Sequence, residues 1–429
     1  MTGSIKVAIS GGGLAGASLV HALLKYPHLD IHIFESASEF KEAGSAIGLK
    51  RSAQAALDLI GPSAVRSFQD AGGVEQLRVR FMLAQGDHAG SLIAEDSPRL
   101  PGQRMTAMVP RAAFLRQLLA SVPPERMHTS KKLERVERAG GEGGSLALHF
   151  ADGSSHECDV LVGADGIHSI VRKMILGDGD PAAHPRNAGW WAVMVMKPHE
   201  EVRACLGDDY VDANDPSEYE WIGDGNCVIH HVLGGTVLFI VAVRDEAAVG
   251  SEQWHRKVDA EEIRKLHAGW PAHLRRAVDK IHEQQLLCDK NEQPALYLWD
   301  HHPARTYVSG PVCVVGDAAH AMTPWQGSGA GMSIEDSLVL STLLGRATTP
   351  TEVLKALEVY DQVRRPRTQQ IVASSKETGL ISTGRGEETG LDLEKLQKQL
   401  LPRWDFILNF DVEKHLADAL KLMAEKVGH

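Results

Sequence analysis

Apolar and polar positions along the chain fall into two regimes. In the first, short apolar runs at residues 5–9, 30–35, 158–163 and 311–315 are bounded by glycine and acidic residues. Such runs, rich in β-branched residues, predict strands buried on both faces, as in a parallel sheet. A helical pattern follows the first run to about Tyr26, a helix start follows the third near Ile170, and a helical stretch follows the last to Leu344. In the second regime, from about Asn187 to Leu298, strand-like runs at 190–196, 226–233 and 236–243 follow one another, with the hairpin signal Gly234-Gly235 between the last two. That stretch predicts a largely antiparallel sheet, with helices from about Glu252 to Gln285. After Gly384 the chain is amphipathic and reads as helical, a segment able to close over the rest or to form a dimer face.

The first strand runs directly into Ser10-Gly11-Gly12-Gly13-Leu14-Ala15-Gly16-Ala17. This is a G-x-G-x-x-G turn between a strand and a helix, and the second strand ends in Glu35, an acid about twenty residues further on. Gly11 permits the tight turn, Gly13 lets backbone approach a pyrophosphate, and Gly16 lets the helix pack on the strand. Leu14 and Ala15 open the helix whose N-terminal amides would meet the phosphates. Glu35 would accept hydrogen bonds from the ribose hydroxyls of an adenosine. The loop alone does not distinguish NAD from FAD.

Composition narrows the partners. With 45 basic and 56 acidic residues among 429, the net charge is −11, which disfavours nucleic acid and anionic membranes. No apolar run is long enough to cross a bilayer and no signal peptide is evident, so a soluble cytoplasmic protein is expected. Cys158, Cys205, Cys227, Cys288 and Cys313 are scattered and contain no C-x-x-C pair, which argues for reduced thiols over a zinc site or disulfide framework. No metal is expected: the adjacent His301 and His302 read as loop residues without ligand spacing.

Two further segments bear on the cofactor. Residues 158–172 contain a buried strand, the turn Ala164-Asp165-Gly166 and a helix start, and residues 311–320 a strand ending in Gly316-Asp317. Pro324 and the run Gly327-Ser328-Gly329-Ala330-Gly331 come next. The Gly140-Gly141-Glu142-Gly143-Gly144 stretch reads as a turn, so there is no second dinucleotide loop. Together the three fingerprints resemble the class A flavoprotein monooxygenases, the para-hydroxybenzoate hydroxylase type. The resemblance covers most of the first 380 residues and implies an α/β fold. A Rossmann-like FAD-binding domain would comprise residues 1–75, 100–185 and 298–384. An inserted, mostly antiparallel β-sheet substrate domain would comprise 76–99 and 186–297, and a C-terminal helical segment 385–429. It also implies that Asp317 bonds the ribityl chain of FAD, that Asp165 lies by the pyrophosphate and the NAD(P)H path, and that Arg111 approaches FAD. The amides of Gly327, Gly329 and Ala330 would face the flavin N1–C2=O edge, where a helix N-terminus stabilises the negative charge of reduced flavin.

Within that family the chain is most similar to salicylate 1-hydroxylases and related fungal aromatic-polyketide hydroxylases. Residues 316–324, 326–331, Ile334-Glu335-Asp336, Tyr360-Asp361 and Arg364-Arg365-Pro366-Arg367 carry the similarity, with Ser375-Lys376-Glu377-Thr378-Gly379 and Trp404-Asp405. Two departures stand out. Salicylate hydroxylases usually have histidine between the proline and the glutamine, where this chain has Trp325. They often have a Tyr-Arg-Gly segment with a substrate-engaging arginine, where this chain reads Gly189-Trp190-Trp191-Ala192. A more aromatic and less anion-seeking pocket is therefore expected.

The resemblance implies an NAD(P)H:oxygen oxidoreductase. NADH or NADPH, as a transient co-substrate, reduces FAD, O2 adds to give a C4a-hydroperoxyflavin, and a small phenolic or aromatic-acid substrate takes up one oxygen. Pro324 and Trp325 are placed beside the reacting ring and, with His231, form the candidate catalytic set. His231 would accept a phenol proton, the alternative being an ordinary packed histidine. Successive strand residues face opposite sides, so one of His230 and His231 faces the cavity and the other outward. Trp190, Trp191 and Trp325 are candidates for an aromatic substrate slot. Epoxidation of an indole or alkene, and FAD-dependent oxidation without oxygen insertion, are the rival readings. Monomer and homodimer are both compatible with the sequence.

Overall fold

In the computed structural model, which describes residues 4–41, 46–97, 103–138, 145–212, 217–233, 235–288 and 293–428, the four apolar runs become neighbouring parallel strands. Ile5–Ser10 pairs with Leu29–Phe34 on one side and Val160–Gly163 on the other, and Val160–Gly163 pairs with Val312–Val314. Met127–His128 and Val308–Ser309 complete six strands among the described residues. Ala8, Ile9, Ile31, Ile33 and residues 160–162 are wholly buried, which is why these runs carry no polar alternation. Leu14–Leu23, Arg111–Leu119 and Gly329–Leu344 pack into this core, and the antiparallel strands Leu133–Arg138, Leu146–Phe150 and Ser155–Cys158 join it through Phe150 stacked on Phe34.

The second sheet has eight strands among the described residues, in the order His255–Val258, Gln293–His301, Pro185–Pro198, Thr236–Arg244, Asn226–Leu233, Glu218–Ile222, Val79–Leu83, Leu92–Asp96. Its pairings are antiparallel except that Glu218–Ile222 runs parallel to Val79–Leu83. One expectation needs correction: the region after Glu252 does not begin as a helix. His255–Val258 is an edge strand hydrogen-bonded to the start of Gln293–His301, and the helices are Ala260–Leu266 and Ala272–Cys288. Those helices cover one face of the sheet, where Ile263, Leu274 and Val278 meet Trp191, Trp221 and Phe239. The other face looks toward the parallel-sheet domain. His301 is a second correction, since it ends a strand, paired with Pro185, and is buried instead of sitting in a loop.

Leu233 pairs with Thr236 across the expected hairpin, whose Gly234 lies outside the described residues, as does the 140–144 turn. Helix Val412–Val427 packs on Pro350–Ser382 and Gly329–Leu344, burying Val412, Ala419 and Met423. Leu393–Gln399 packs on Leu92–Asp96, so the tail touches both sheet domains. Cys158, Cys205, Cys227 and Cys313 are buried and unbridged. Among the described residues no helix is long and apolar enough to cross a membrane.

Candidate active site

The N-terminal turn is built for close approach. Gly11 has φ +111°, and a Cβ there would lie 2.2 Å from the Ala164 carbonyl oxygen. A Cβ on Gly16 would lie 2.0 Å from the Gly11 carbonyl oxygen, so only hydrogen fits at either position. Beyond the turn opens a groove of about 380 Å³. Gly13, Leu14 and Ala15 line it at the helix N-terminus, and Arg111 and Asp317 line it from other segments. Gly327, Gly329 and Ala330 form its far wall, so residues more than 300 positions apart in sequence meet here.

Glu35 and Asp165 are placed differently from the other candidates. Glu35 Oε2 accepts the Gly12 N–H at 2.7 Å and its Oε1 accepts the Ala37 N–H at 2.8 Å, so the carboxylate clamps the glycine turn. The Asp165 carboxylate accepts from the Ser169 hydroxyl and from the Ile170 and Val171 amides, turning toward the helix Ile170–Leu176. It is the flanking Ala164 and Gly166 that line the groove. Burial raises the Asp165 pKa, and these hydrogen bonds oppose the rise.

A buried ion network holds the Gly316-Asp317 turn. Asp336 accepts the Gly316 N–H at 3.1 Å, lies 2.6 Å from His320 Nε2 and receives Arg364 Nε at 2.8 Å. Glu335 pairs with both Arg364 and Arg367. Burial alone would raise both acids, but His320 and Arg364 bring Asp336 down to about 2, and Arg364 and Arg367 do the same for Glu335. The network leaves Asp317 facing the groove.

A second cavity of about 600 Å³ lies between the eight-stranded sheet and the parallel-sheet domain. It shares Ala46, Gly48, Asp317, Met322, Pro324 and Gly327 with the groove, so the two spaces meet along the segment that follows the Gly-Asp turn. Its walls are mainly apolar: Met194, Leu238, Ile240, Leu298 and Trp325 among others. Trp325 is 7% exposed, and its ring is held by Trp190 at 5.7 Å in an edge-on contact. Trp190 thus stands behind the wall without lining it. Trp191 is a correction: it lies on the opposite face, in the core under the helices, with Arg256 over its ring at 4.8 Å. The two-residue period of a strand requires that split.

His231 lines the cavity. The Gln76 side-chain nitrogen lies 3.0 Å from its Nδ1 and also donates to Glu218 at 3.3 Å. Nδ1 is therefore the acceptor, and the neutral ring carries its proton on Nε2. Burial lowers the His231 pKa against an opposing effect of Glu218, which keeps the ring neutral. A neutral imidazole of this tautomer presents an N–H donor on its Nε2. His230 is buried on the other side, not outward: Trp221 Nε1 donates to it at 3.2 Å, and burial takes its pKa to about 3.

Several further residues line the wall, none of which the sequence singled out as a site residue. Glu220, 4% exposed with Oε1 unpartnered, is pushed up to about 8 by burial, with the Glu218 charge adding to the effect. Lys50 lies between the strand Ala46–Leu49 and the helix Arg51–Ile60. Trp254 and Trp299 stack at 3.7 Å, and Trp404 enters from the C-terminal segment. Among the described residues no cluster of three metal-ligating side chains occurs.

A glycine turn too tight for any side chain, a fixed Gly-Asp turn and a glycine-led helix, all on one elongated groove, define a dinucleotide-binding flavoprotein fold. A sequence profile for the FAD binding domain matches residues 4–375. The chain is 36% identical over 431 residues to a 6-methylsalicylate 1-monooxygenase of Aspergillus terreus, covering 99% of this chain and 93% of that one. It is 31% identical over 442 residues to a salicylate hydroxylase of Pseudomonas putida, covering 97% and 94%. A solved salicylate hydroxylase–substrate complex superimposes with a TM-score of 0.83 at 26% identity, over 98% of both chains. The chain belongs to the FAD-dependent class A aromatic monooxygenases.

Proposed function

We propose that this monooxygenase hydroxylates a small phenol or aromatic acid of the salicylate type, with NADH or NADPH and O2 as co-substrates. The observation that carries the reading is the mainly apolar 600 Å³ cavity, which meets the cofactor groove along residues 322–327. FAD, once reduced by the nicotinamide nucleotide, supplies the activation of O2 for insertion into the ring.

The chain's own residues then have distinct tasks. Gly11, Gly13 and Gly16 with the amides at Leu14 and Ala15 hold the pyrophosphate, and Arg111 adds charge to the same groove. Glu35 shapes the turn and meets the ribose. Asp317 holds the ribityl chain, Asp165 stiffens its own turn beside the nucleotide path, and the helix start at Gly327, Gly329 and Ala330 faces the pyrimidine edge. Trp325 and Pro324 keep water from the reacting ring and fix its plane. The His231 Nε2–H bonds the substrate's oxygen, favouring the phenolate over the phenol. On this reading residues 1–75, 100–185 and 298–384 carry FAD, residues 76–99 and 186–297 the substrate, and residues 385–429 close one side.

The test is turnover of the FAD-loaded protein with salicylate, 6-methylsalicylate and simple phenols under 18O2, with NADH and NADPH compared. Substrate-stimulated nucleotide oxidation with one 18O in the product is the expected result. Peroxide as the sole oxygen product with every ring tested would refute oxygen insertion.

A further inference from the structure

The absence of an arginine from the 189–192 segment predicts a cavity without a cation, but the folded chain supplies one from elsewhere. Among the described residues lining the cavity, Lys50 is the single lysine or arginine. Its side chain runs from the end of a strand to Gly327, where the ammonium would lie 4.0 Å from a Cβ built on that glycine. It also lines a small crevice under Gly327 and Ser328, so the ammonium sits at the junction of substrate space and glycine run.

The ammonium of Lys50 makes no ion pair or hydrogen bond with any described residue, although the Lys50 backbone carbonyl accepts the Gln54 N–H at 3.1 Å. Its backbone precedes the helix Arg51–Ile60, but its side chain provides no cap. Glu218 and Asp96 act on it through space, raising its pKa, while burial lowers it more strongly. A partly buried cation with no bonded anion, on the wall of a mainly apolar cavity, is left open to a ligand that completes it.

We propose that Lys50 is the specificity-determining residue of this cavity: its ammonium pairs with the carboxylate of a small aromatic acid. This deepens the monooxygenase reading and relies on it for the aromatic ring. The ring packs among Met194, Ile240 and Trp325, while its oxygen substituent reaches His231. Lysine, as a compact point charge, tolerates several carboxylate orientations where an arginine fork would demand one. On this proposal Lys50 takes the part of the arginine that the 189–192 segment lacks.

Calorimetric titration of the FAD-loaded protein with salicylate and with phenol separates this from turnover. In Lys50→Met the dissociation constant for salicylate is expected to rise at least about thirtyfold, the loss seen when one partner of a buried charge pair is truncated. Phenol binding should change less than about twofold, and Lys50→Arg should recover most of the salicylate affinity. Equal weakening of both ligands, unchanged salicylate binding, or a wild type that binds neither ligand would overturn the assignment. Lys50-dependent salicylate binding without any oxygen transfer would uphold it while sinking the monooxygenase reading.

Discussion

Glu220 gives the cavity a titration that stability measurements can read. The residue sits on the strand Glu218–Ile222, 4% exposed, with one carboxyl oxygen unpartnered and Glu218 on the same strand face. Burial raises its pKa from 4.5 to about 8 against the opposing effect of the Ser382 hydroxyl, with the Glu218 charge adding a smaller rise. A raised pKa means the folded state holds a proton that the unfolded state releases. The stability associated with the neutral acid is therefore complete below the unfolded value and lost as pH rises toward the folded one. Between those limits the slope is about −1.4 kcal/mol per pH unit, so the full displacement corresponds to roughly 5 kcal/mol. Glu220→Gln keeps the shape and removes the proton. Urea unfolding of both proteins from about pH 5.5 to about pH 8 should show the variant gaining on the wild type by roughly 3 kcal/mol. Parallel pH profiles would refute the argument, because they would mean that Glu220 titrates alike folded and unfolded.

Two other perturbations test the frame around the site. Arg364→Met leaves Glu335 and Asp336 buried beside fewer cations, since Arg364 is wholly buried between them. Unfolding free energy should fall by about 3–5 kcal/mol, and a loss under about 1 kcal/mol would show that His320 and Arg367 suffice. Gly16→Ala drives a methyl to within 2.0 Å of the Gly11 carbonyl oxygen, whereas Gly179 has nothing within 4 Å of its would-be Cβ. FAD retention through gel filtration and thermal stability should both drop in Gly16→Ala, by about 1–3 kcal/mol or more in stability, with Gly179→Ala close to wild type.

The nucleotide half of the site was legible because its signals are contiguous. Strand, glycine turn, helix and acid follow one another within residues 5–35, and each glycine answers a local steric demand that the structure displays at Gly11 and Gly16. The substrate half is assembled from Lys50, Gln76, Glu218, His231, Trp325 and Trp404, which only the pairing of distant strands and the return of the C-terminal segment bring together. Some of it was still written in the pattern. Trp190 and Trp191 are adjacent on a strand, so at most one could face the cavity, and the helix-covered face took Trp191. Glu218 and Glu220 alternate with the buried Tyr219 and Trp221, a polar stripe on a strand covered on both sides. Such a stripe marks a cavity and not solvent. The tautomer of His231, by contrast, depends on Gln76, a residue more than 150 positions away that no local signal connects to it.

These groups share one electrostatic environment, and that ties the cavity's charge state to its ligand. At neutral pH Glu220 is protonated and His231 is uncharged, which leaves Lys50 facing the charges of Glu218 and Asp96. Glu218 is partly engaged by the Gln76 amide, which on the Lys50 proposal leaves the ammonium to an incoming carboxylate. Ionising Glu220 adds a negative charge to the same wall, where low polarity lets charges act over longer distances than in water. Ionisation of Glu220 near pH 8, by which point its stabilising contribution has been lost, therefore also turns the cavity against an anionic ligand. On the Lys50 proposal, burying a glutamic acid here, where a glutamine would stay neutral at every pH, limits acid recognition to pH below about 8.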